Sequence, residues 1–536
     1  MPATLPWIVQ KFGGTSVGKL LDTITGEIIP SYLSQKYNVA VVCSARSGRD
    51  KASGSTSMLL QAASLAESRE PAATGKLDGV IDLLISQHLD AARLALGGNG
   101  SAAGLLEELE RDIVADCEAV RVFLHAAQTV GELSERSRDR VMSVGEKLSA
   151  RIVAASLSSK GFDTALVVLD DLVSETYSDD LQKQREAYDK LGPEFYHNLS
   201  RRLGKILLDN VGKIPVITGF FGMMPYSLIR TVGRGYSDLC AAMCAVGVDA
   251  HELQIWKEVD GIFTADPSKV PSARLLATVT PEEAMELTFY GSEVIHPLTM
   301  KHLQSANIPL RIKNVKRPGG PGSMIYPSEK TPHGSPARRL SPDRRAFMDA
   351  HGYEREDDQT LSRRTPTAIT SKTDIALINF LPSGTATNKY EHLSEVLSRL
   401  ASLRVIPDLM CTSEQSVSFA VHMEAGAASV DDIASSLESL GNVTVMEKMS
   451  IVSVIGQRMR NMVGIAGEIF TTLAEAGINI YLISQGASEI NISFVIKESH
   501  VLRAIDVIHS QILNIPSSVE HTGLTGKNGI RGPWLF

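Results

Sequence analysis

Through the first 315 residues, short β-branched runs alternate with long helical stretches: Trp7 to Gln10, Val39 to Ser44, Ala165 to Asp170, Ile214 to Phe221, Glu252 to Lys257 and Pro309 to Asn314. Parallel neighbours in a sheet need a crossover of a dozen or more residues, which helices supply. The alternation therefore predicts an α/β domain on a mainly parallel central sheet flanked by helices. Between the second and third runs, an Ala/Leu/Glu-rich region from about Ser55 to Ser159 reads as several helices. Thr280-Pro281-Glu282-Glu283 marks a further helix start, with Thr as cap, Pro at the first helical position and Glu closing a capping box.

Composition breaks at Lys316. From there to about Arg364 the chain is rich in Pro, Gly, Ser and charge, too polar to bury much surface, and reads as a flexible linker over 316–366. Periodicity resumes after Thr365, and the remainder repeats itself. Ser413-Glu414 and Ser418-Phe419 recur as Ser488-Glu489 and Ser493-Phe494, each offset by 75. Each copy follows a strand-like run (Ile375 to Phe380; Ser450 to Ile455) and an amphipathic helical run (Leu393 to Leu400; Ala466 to Ala476). Two α+β modules are expected, over 367–445 and 446–520, with 521–536 as a tail. The pattern resembles paired ACT domains, the amino-acid-sensing modules attached to metabolic enzymes.

Several function classes are excluded by composition. The chain has 536 residues, 53 Lys plus Arg against 61 Asp plus Glu, and no extended basic block, which argues against phosphate-backbone binding of nucleic acid. Five irregularly spaced cysteines do not make a disulfide framework and suit a reducing compartment. Cys240 and Cys244 share a face of an apolar helical run and read as packing thiols; no partner pair stands at zinc spacing. No run of 18 apolar residues and no signal-like N-terminus is present, so a cytoplasmic location is expected.

The strongest local signal is Lys11-Phe12-Gly13-Gly14-Thr15-Ser16-Val17-Gly18-Lys19 at the first strand. Glycines let backbone N–H groups approach an anion, and lysine supplies a compact charge for phosphate. A Walker A loop would need Ser or Thr after Lys19 to hold magnesium, and Leu20 stands there. Lys11 to Val17 resembles instead the opening signature of the aspartate kinases in the amino-acid kinase superfamily. Further segments are similar in the same order. Val141 to Ala150 looks like the helix carrying a substrate-binding glutamate, Glu146 in Gly145-Glu146-x-x-Ser149, while Glu132 in the other Gly-Glu pair lacks Ser at that spacing and reads as a solvated charge. Thr231 to Asp238 places Arg234 between glycines before a helix whose first turn is Ser237-Asp238. Trp256 to Pro267 resembles the nucleotide-side strand and loop.

The resemblance is to the monofunctional fungal type and implies an amino-acid kinase fold followed by two ACT modules. It implies transfer of the ATP γ-phosphoryl group to the side chain of L-aspartate, the first step towards threonine and methionine, with Mg2+ on the ATP phosphates and no side-chain metal ligand named. The catalytic set it implies is Lys11, Glu146, Arg234 and Asp238. Substrate contacts fall on Ser44, Thr56, Glu146, Thr231, Arg234 and Ser237. Nucleotide contacts fall on Lys11, Gly13, Gly14, Thr15, Ser16, Lys257, Glu258, Val259, Gly261, Phe263, Asp266 and Lys269. Here Lys269 stands in for an arginine common in the family, and Glu293 occupies a position commonly Lys in bacterial members. His296, beside Pro297, reads as a cap before it reads as a base. Threonine is the expected inhibitor, near Thr412, Ser413, Asn479, Ile480 and Gln485, and the ACT modules are expected to join copies into a homo-oligomer. The competing readings are another carboxylate kinase of the superfamily and a catalytically dead ACT regulator; a fused homoserine dehydrogenase is not expected at this length.

Overall fold

The computed structural model of the chain describes residues 5–48, 53–68, 70, 72–97, 103–289, 295–326, 365–383, 389–413, 415–423, 428–457, 459, 462–486 and 490–516. They form two compact units, one within Met1–Ile262, Leu275–Thr288 and Glu293–Gln359, the other within Phe263–Arg274, Phe289–Ser292 and Thr360–Phe536.

The first unit is built on strands β1 (Trp7–Phe12), β2 (Asn38–Cys43), β3 (Thr164–Val167), β4 (Ile214–Thr218), β5 (Glu252–Lys257), β6 (Thr278–Val279), β7 (Leu310–Asn314) and β8 (Ser323–Ile325). Their order is β3-β4-β2-β1-β5-β7-β8-β6. Every neighbouring pair is parallel except β7 with β8. All six residues of β1 are buried, as a central strand covered on both faces requires. The composition break at Lys316 does not end the sheet. Ser323–Ile325 joins it as β8, because Ser323 is buried and its hydroxyl donates to Leu276 O at 2.6 Å. The rest of the expected linker, 327–364, lies outside the described residues, as does the tail.

Helices α1 (Gly14–Lys19), α2 (Ser55–Glu67), α3 (Ala73–Leu96), α4 (Ala103–Val130) and α5 (Glu135–Ser159) follow β1 and β2. The last four bury Leu59, Ile81, Ile113, Leu124 and Leu148 in a cluster of their own. The C-terminal half of α5 turns Val153 and Leu157 onto the core beneath the sheet, beside Phe12, Val41 and Trp256. A helix clamped in two cores is a rigid carrier for whatever side chain lies between them, and Glu146 lies there. After β3 come α6 (Leu181–Leu191), α7 (Pro193–Leu208), α8 (Tyr236–Gly247), α9 (Pro281–Phe289) and α10 (Pro297–Ala306). The capping box ahead of α9 is present: Thr280 N donates to Glu283 and Glu283 N to the Thr280 hydroxyl, at 3.1 and 3.2 Å. Cys240 and Cys244 are fully buried on α8. Among the described residues no helix is long and apolar enough to cross a membrane.

The second unit holds β9 (Ala368–Pro382), α11 (Lys389–Ser402), β10 (Leu409–Thr412), β11 (Val417–His422), α12 (Val430–Glu438), β12 (Gly441–Ile455), α13 (Ile465–Glu475), β13 (Leu482–Ser484), β14 (Asn491–Lys497) and α14 (Val501–Gln511). One six-stranded antiparallel sheet runs β10-β11-β9-β12-β14-β13. The repeat maps strand on strand. Ser418 on β11 faces Asn379 on β9 and bonds it at 2.9 Å, while Ser493 on β14 faces Ser453 on β12 at 2.7 Å. Phe419 and Phe494 are each fully buried in their own module's core.

The expected boundary between the modules needs correction. A strand of 15 residues reaches about 50 Å, longer than one small module can use, and β9 and β12 are both that long. Each is therefore shared. The pairing of Leu377–Pro382 with Gly441–Met446 serves the first module, and that of Ala368–Lys372 with Ile451–Ile455 serves the second, with register shifts between the two stretches. Asp374 and Lys448, both at positive φ (57° and 55°), stand at the switch. Residues 368–372 thus complete the second module, where Ile369 enters the core with Phe494.

Candidate active site

Lys11 occupies the last but one position of β1, nearly buried, and forms an ion pair with Asp238 at 2.6 Å. Asp238 lies in the first turn of α8, where the helix dipole favours a carboxylate. Glu146 on α5 is buried near this pair. It accepts hydrogen bonds from Tyr236 and from the Ala45 backbone, and one carboxylate oxygen has no hydrogen-bond partner. Burial pushes its carboxyl up to about 8, against the Tyr236 bond, the Lys11 charge and the Ala45 bond, which pull it down. An orphaned, buried carboxylate oxygen beside a lysine is a group waiting for a cation.

Gly13 caps α1, and α1 crosses so near the segment after β2 that a Cβ on Gly14 would stand 2.0 Å from Ala45 O. Only glycine allows that approach, and it sets the positions of Thr15 and Ser16. The Thr15 hydroxyl meets that of Ser47 at 3.0 Å, and the Ser16 hydroxyl donates to Glu258 at 2.6 Å. Ser44 and Ser237 share a hydrogen bond at 2.9 Å. Strand ends, helix starts and the middle of α5 therefore bring Lys11, Ser16, Ser44, Glu146, Ser237, Asp238 and Glu258 to the same end of the parallel strands, where open α/β sheets hold their ligands.

Other expected residues are placed differently. Thr56 sits half-buried in the first turn of α2; its buried neighbour Ser55 donates to Arg46 O at 2.8 Å. Thr231 ends a short helical turn and its hydroxyl bonds Ser227 O. The backbone of Arg234 lies in the single 3-10 turn Gly233–Gly235 before α8, while its side chain lies outside the described residues. Glu293 lies outside them too. Lys257 ends β5 and leads to Val259, half exposed, and to Gly261, whose φ of 150° and whose Cβ position 2.3 Å from the Ser323 hydroxyl admit no side chain. His296 is the N-cap of α10, its Nδ1 accepting from Leu298 N at 3.2 Å, and burial lowers its pKa.

The remaining nucleotide-side residues fold with the second unit. Ala265 and Val270 enter its core, Asp266 accepts from Ser268, and the Lys269 ammonium donates to the Ser371 hydroxyl at 3.1 Å. In that unit Thr412 ends β10 and Ser413 follows it, closing a turn through Ser416 N at 3.0 Å. Asn479 and Gln485 are exposed, and Ile480 half-buried, around β13.

Sequence reasoning passed over Tyr236 and Asp139. Tyr236 stands between Gly235 and Ser237 with no role assigned from the sequence, yet it is the donor that steadies Glu146. Asp139 accepts from Leu228 N and from the Ser227 hydroxyl, the latter at 3.0 Å, and so fixes the loop leading to Arg234. Its sole sequence signal is a charged residue on the buried face of α5, about two turns before Glu146.

Residues 6–314 match the amino acid kinase family and residues 452–512 an ACT domain. The chain belongs to the amino acid kinase family. The aspartokinase of Schizosaccharomyces pombe is 40% identical over 534 residues, covering 99% of this chain and 97% of the relative. That of Candida albicans is 43% identical over 533 residues, 96% and 92%. That of Saccharomyces cerevisiae is 42% identical over 528 residues, 96% and 95%. E. coli aspartokinase III, in complex with aspartate and ADP, superposes with a TM-score of 0.63 at 22% identity, over 94% of this chain and 99% of that one, which shows a shared fold. The protein is an ATP-dependent kinase that acts on aspartate.

Proposed function

We propose that the first unit transfers the γ-phosphoryl group of ATP to the side-chain carboxylate of L-aspartate, giving ADP and 4-phospho-L-aspartate. The observation that carries this reading is the buried Glu146 beside the Lys11–Asp238 pair. The acceptor is ionised at neutral pH, since a free carboxylate titrates near ~4, so no base is needed. The bond between the γ-phosphorus and its bridging oxygen to ADP breaks as a carboxylate oxygen bonds to phosphorus. What the site supplies is alignment and charge neutralisation of two anions. Lys11 serves the transferring phosphoryl oxygens, Asp238 orients Lys11, Glu146 takes the substrate ammonium, and Arg234 takes the α-carboxylate bidentately. Ser44 and Ser237 line the acceptor side, with Thr56 and Thr231.

Gly13, Gly14, Thr15 and Ser16 lie under the phosphates, and Lys257, Glu258, Val259 and Gly261 on the nucleotide side. Lys269, our phosphate-facing cation, gives one of its three ammonium donors to Ser371 and keeps two for phosphate. Among the described residues no three His, Cys, Asp or Glu side chains gather as a cage. The donors present suit a magnesium ion that arrives on ATP, held mainly by phosphate oxygens and water with one carboxylate at most. E. coli aspartokinase III binds aspartate and ADP, and also lysine with aspartate, which supports the acceptor, the nucleotide and an amino-acid effector here. The effector we propose is threonine, held near Thr412, Ser413, Asn479, Ile480 and Gln485, in a cytoplasmic homo-oligomer joined through the ACT modules. The test is ADP release with L-aspartate, L-glutamate or N-acetylglutamate as acceptor, with and without threonine. Release with aspartate, suppressed by threonine in the native chain and less so in Gln485→Ala, supports the reading; release with another acceptor contradicts it.

A further inference from the structure

A cleft of about 900 Å3 opens in the first unit between the N-terminal turn of α5, α6 and the loop that leads to Arg234. Neither Lys11, Glu146 nor Asp238 lines it, so it is distinct from the cluster described above, although Thr231 stands on its wall. Three arginines line it, Arg136, Arg140 and Arg185. Their ordinary partners are missing: among the described residues none of the three forms an ion pair with a carboxylate. Arg136 donates to Gln184 at 3.2 Å and to Met223 O at 3.5 Å, and Arg185 to Pro225 O at 3.5 Å. Arg140 lies over the Phe123 ring and Arg185 over the Tyr226 ring, at 5.9 and 5.5 Å. The Nε of Arg136 is buried without an acceptor, and its pKa is lowered by burial and then by Arg185, opposed by Asp139.

Of the acids nearby, Asp139 accepts from the backbone of Leu228 and from Ser227, Asp189 accepts from the Tyr226 hydroxyl at 2.7 Å, and Asp170 feels the Arg140 charge. Glu135 alone of the acids lines the cleft, against three arginines. The N-terminal end of α5, a 25-residue helix, adds a positive field. Holding three cations together at a cleft is unfavourable unless an anion sits among them, and guanidinium groups match planar carboxylate and phosphate oxygens bidentately. Phe123, Met223 and Pro225 give the same cleft an apolar wall.

We propose that this cleft is a second anion site, which takes a small organic dianion with its charged oxygens on Arg136, Arg140 and Arg185 and its carbon skeleton on the apolar wall. Two sources share that chemistry, a dicarboxylate and a phosphate monoester. The experiment is calorimetric titration of the full chain with succinate, with glycerol phosphate and with acetate, at low salt and with ADP and L-aspartate already saturating. Binding of either dianion more tightly than acetate, weakened by added salt, supports the site, and the tighter dianion identifies the source. Arg140→Gln and Arg185→Gln change exposed side chains, so the fold is retained. Each is expected to weaken the dianion by about tenfold, the loss of one charge-assisted bond, with kcat for L-aspartate within about threefold of the native value. Binding no tighter than that of acetate overturns the proposal, as does a dianion affinity unchanged in both variants.

Discussion

If Glu146 takes the substrate ammonium as proposed, acceptor binding becomes a proton-linked event. The Glu146 carboxyl titrates at about 8 when the site holds no substrate, because burial disfavours the charge. Only the ionised form pairs with an ammonium, so the protonated fraction must lose its proton when L-aspartate binds. With a pKa of about 8 the ionised fraction is ~1% at pH 6, ~9% at pH 7 and ~50% at pH 8. The apparent Kd for L-aspartate should therefore fall about tenfold from pH 6 to 7 and about fivefold from 7 to 8, then level off. Calorimetry at pH 7 in two buffers of different ionisation enthalpy should find ~0.9 proton released per L-aspartate bound. Glu146→Gln should bind weakly, with neither the pH slope nor the proton. The same group affects folding: between about 4.5 and 8 the folded chain keeps a proton that the unfolded chain has released. Stability is accordingly lost as pH rises through that window, and Glu146→Gln removes that slope. An L-aspartate affinity equal at pH 6 and 8, or a slope that survives in Glu146→Gln, rules out an ion pair between Glu146 and the substrate ammonium.

Tyr236→Phe deletes a donor to the ionised Glu146, so the pH at which L-aspartate affinity levels off should move up by about one unit or more; an unmoved profile counts against the bond. Lys11→Ala should lower kcat on the order of 10³-fold with the thermal transition retained, as measured by steady-state ADP release. Gly14→Ala drives a methyl into Ala45 O and should cost about 2 kcal/mol or more by urea unfolding, while the exposed Glu132→Ala leaves both stability and the KM for L-aspartate unchanged. Phe419→Ala and Phe494→Ala each empty one module's core, and each should cost ~3–5 kcal/mol.

Much of this architecture was legible because local chemistry and global fold agree. The β-branched runs mark strands of the parallel sheet, and Thr280 with Glu283 announces α9 through bonds that span three residues. The 75-residue repeat carried its own proof, since Ser418 and Ser493 both end up bonding across to the first strand of their module. What was hidden depends on distant partners. Residues 368–372 have the same alternation whichever module they join, so their pairing with Ile451–Ile455 leaves no local trace. Lys269 reads as a free cation until Ser371, more than 100 positions away, is folded beside it. Asp139 and Tyr236 support the site from behind, and a residue that acts by holding another has no motif of its own. Glu146 was visible as a motif, but its burial, which gives the site its pH dependence, follows from α5 being clamped in two cores.

Transfer of phosphate to the side-chain carboxylate of L-aspartate, by a site that neutralises charge and takes no proton, is visible in phosphorus NMR of the full chain with ATP and L-aspartate. An acyl phosphate resonance is expected that grows with ADP, is trapped as the β-hydroxamate by hydroxylamine, and is absent with Lys11→Ala. ADP formed with inorganic phosphate alone, or an acyl phosphate that forms equally well in Lys11→Ala, contradicts it.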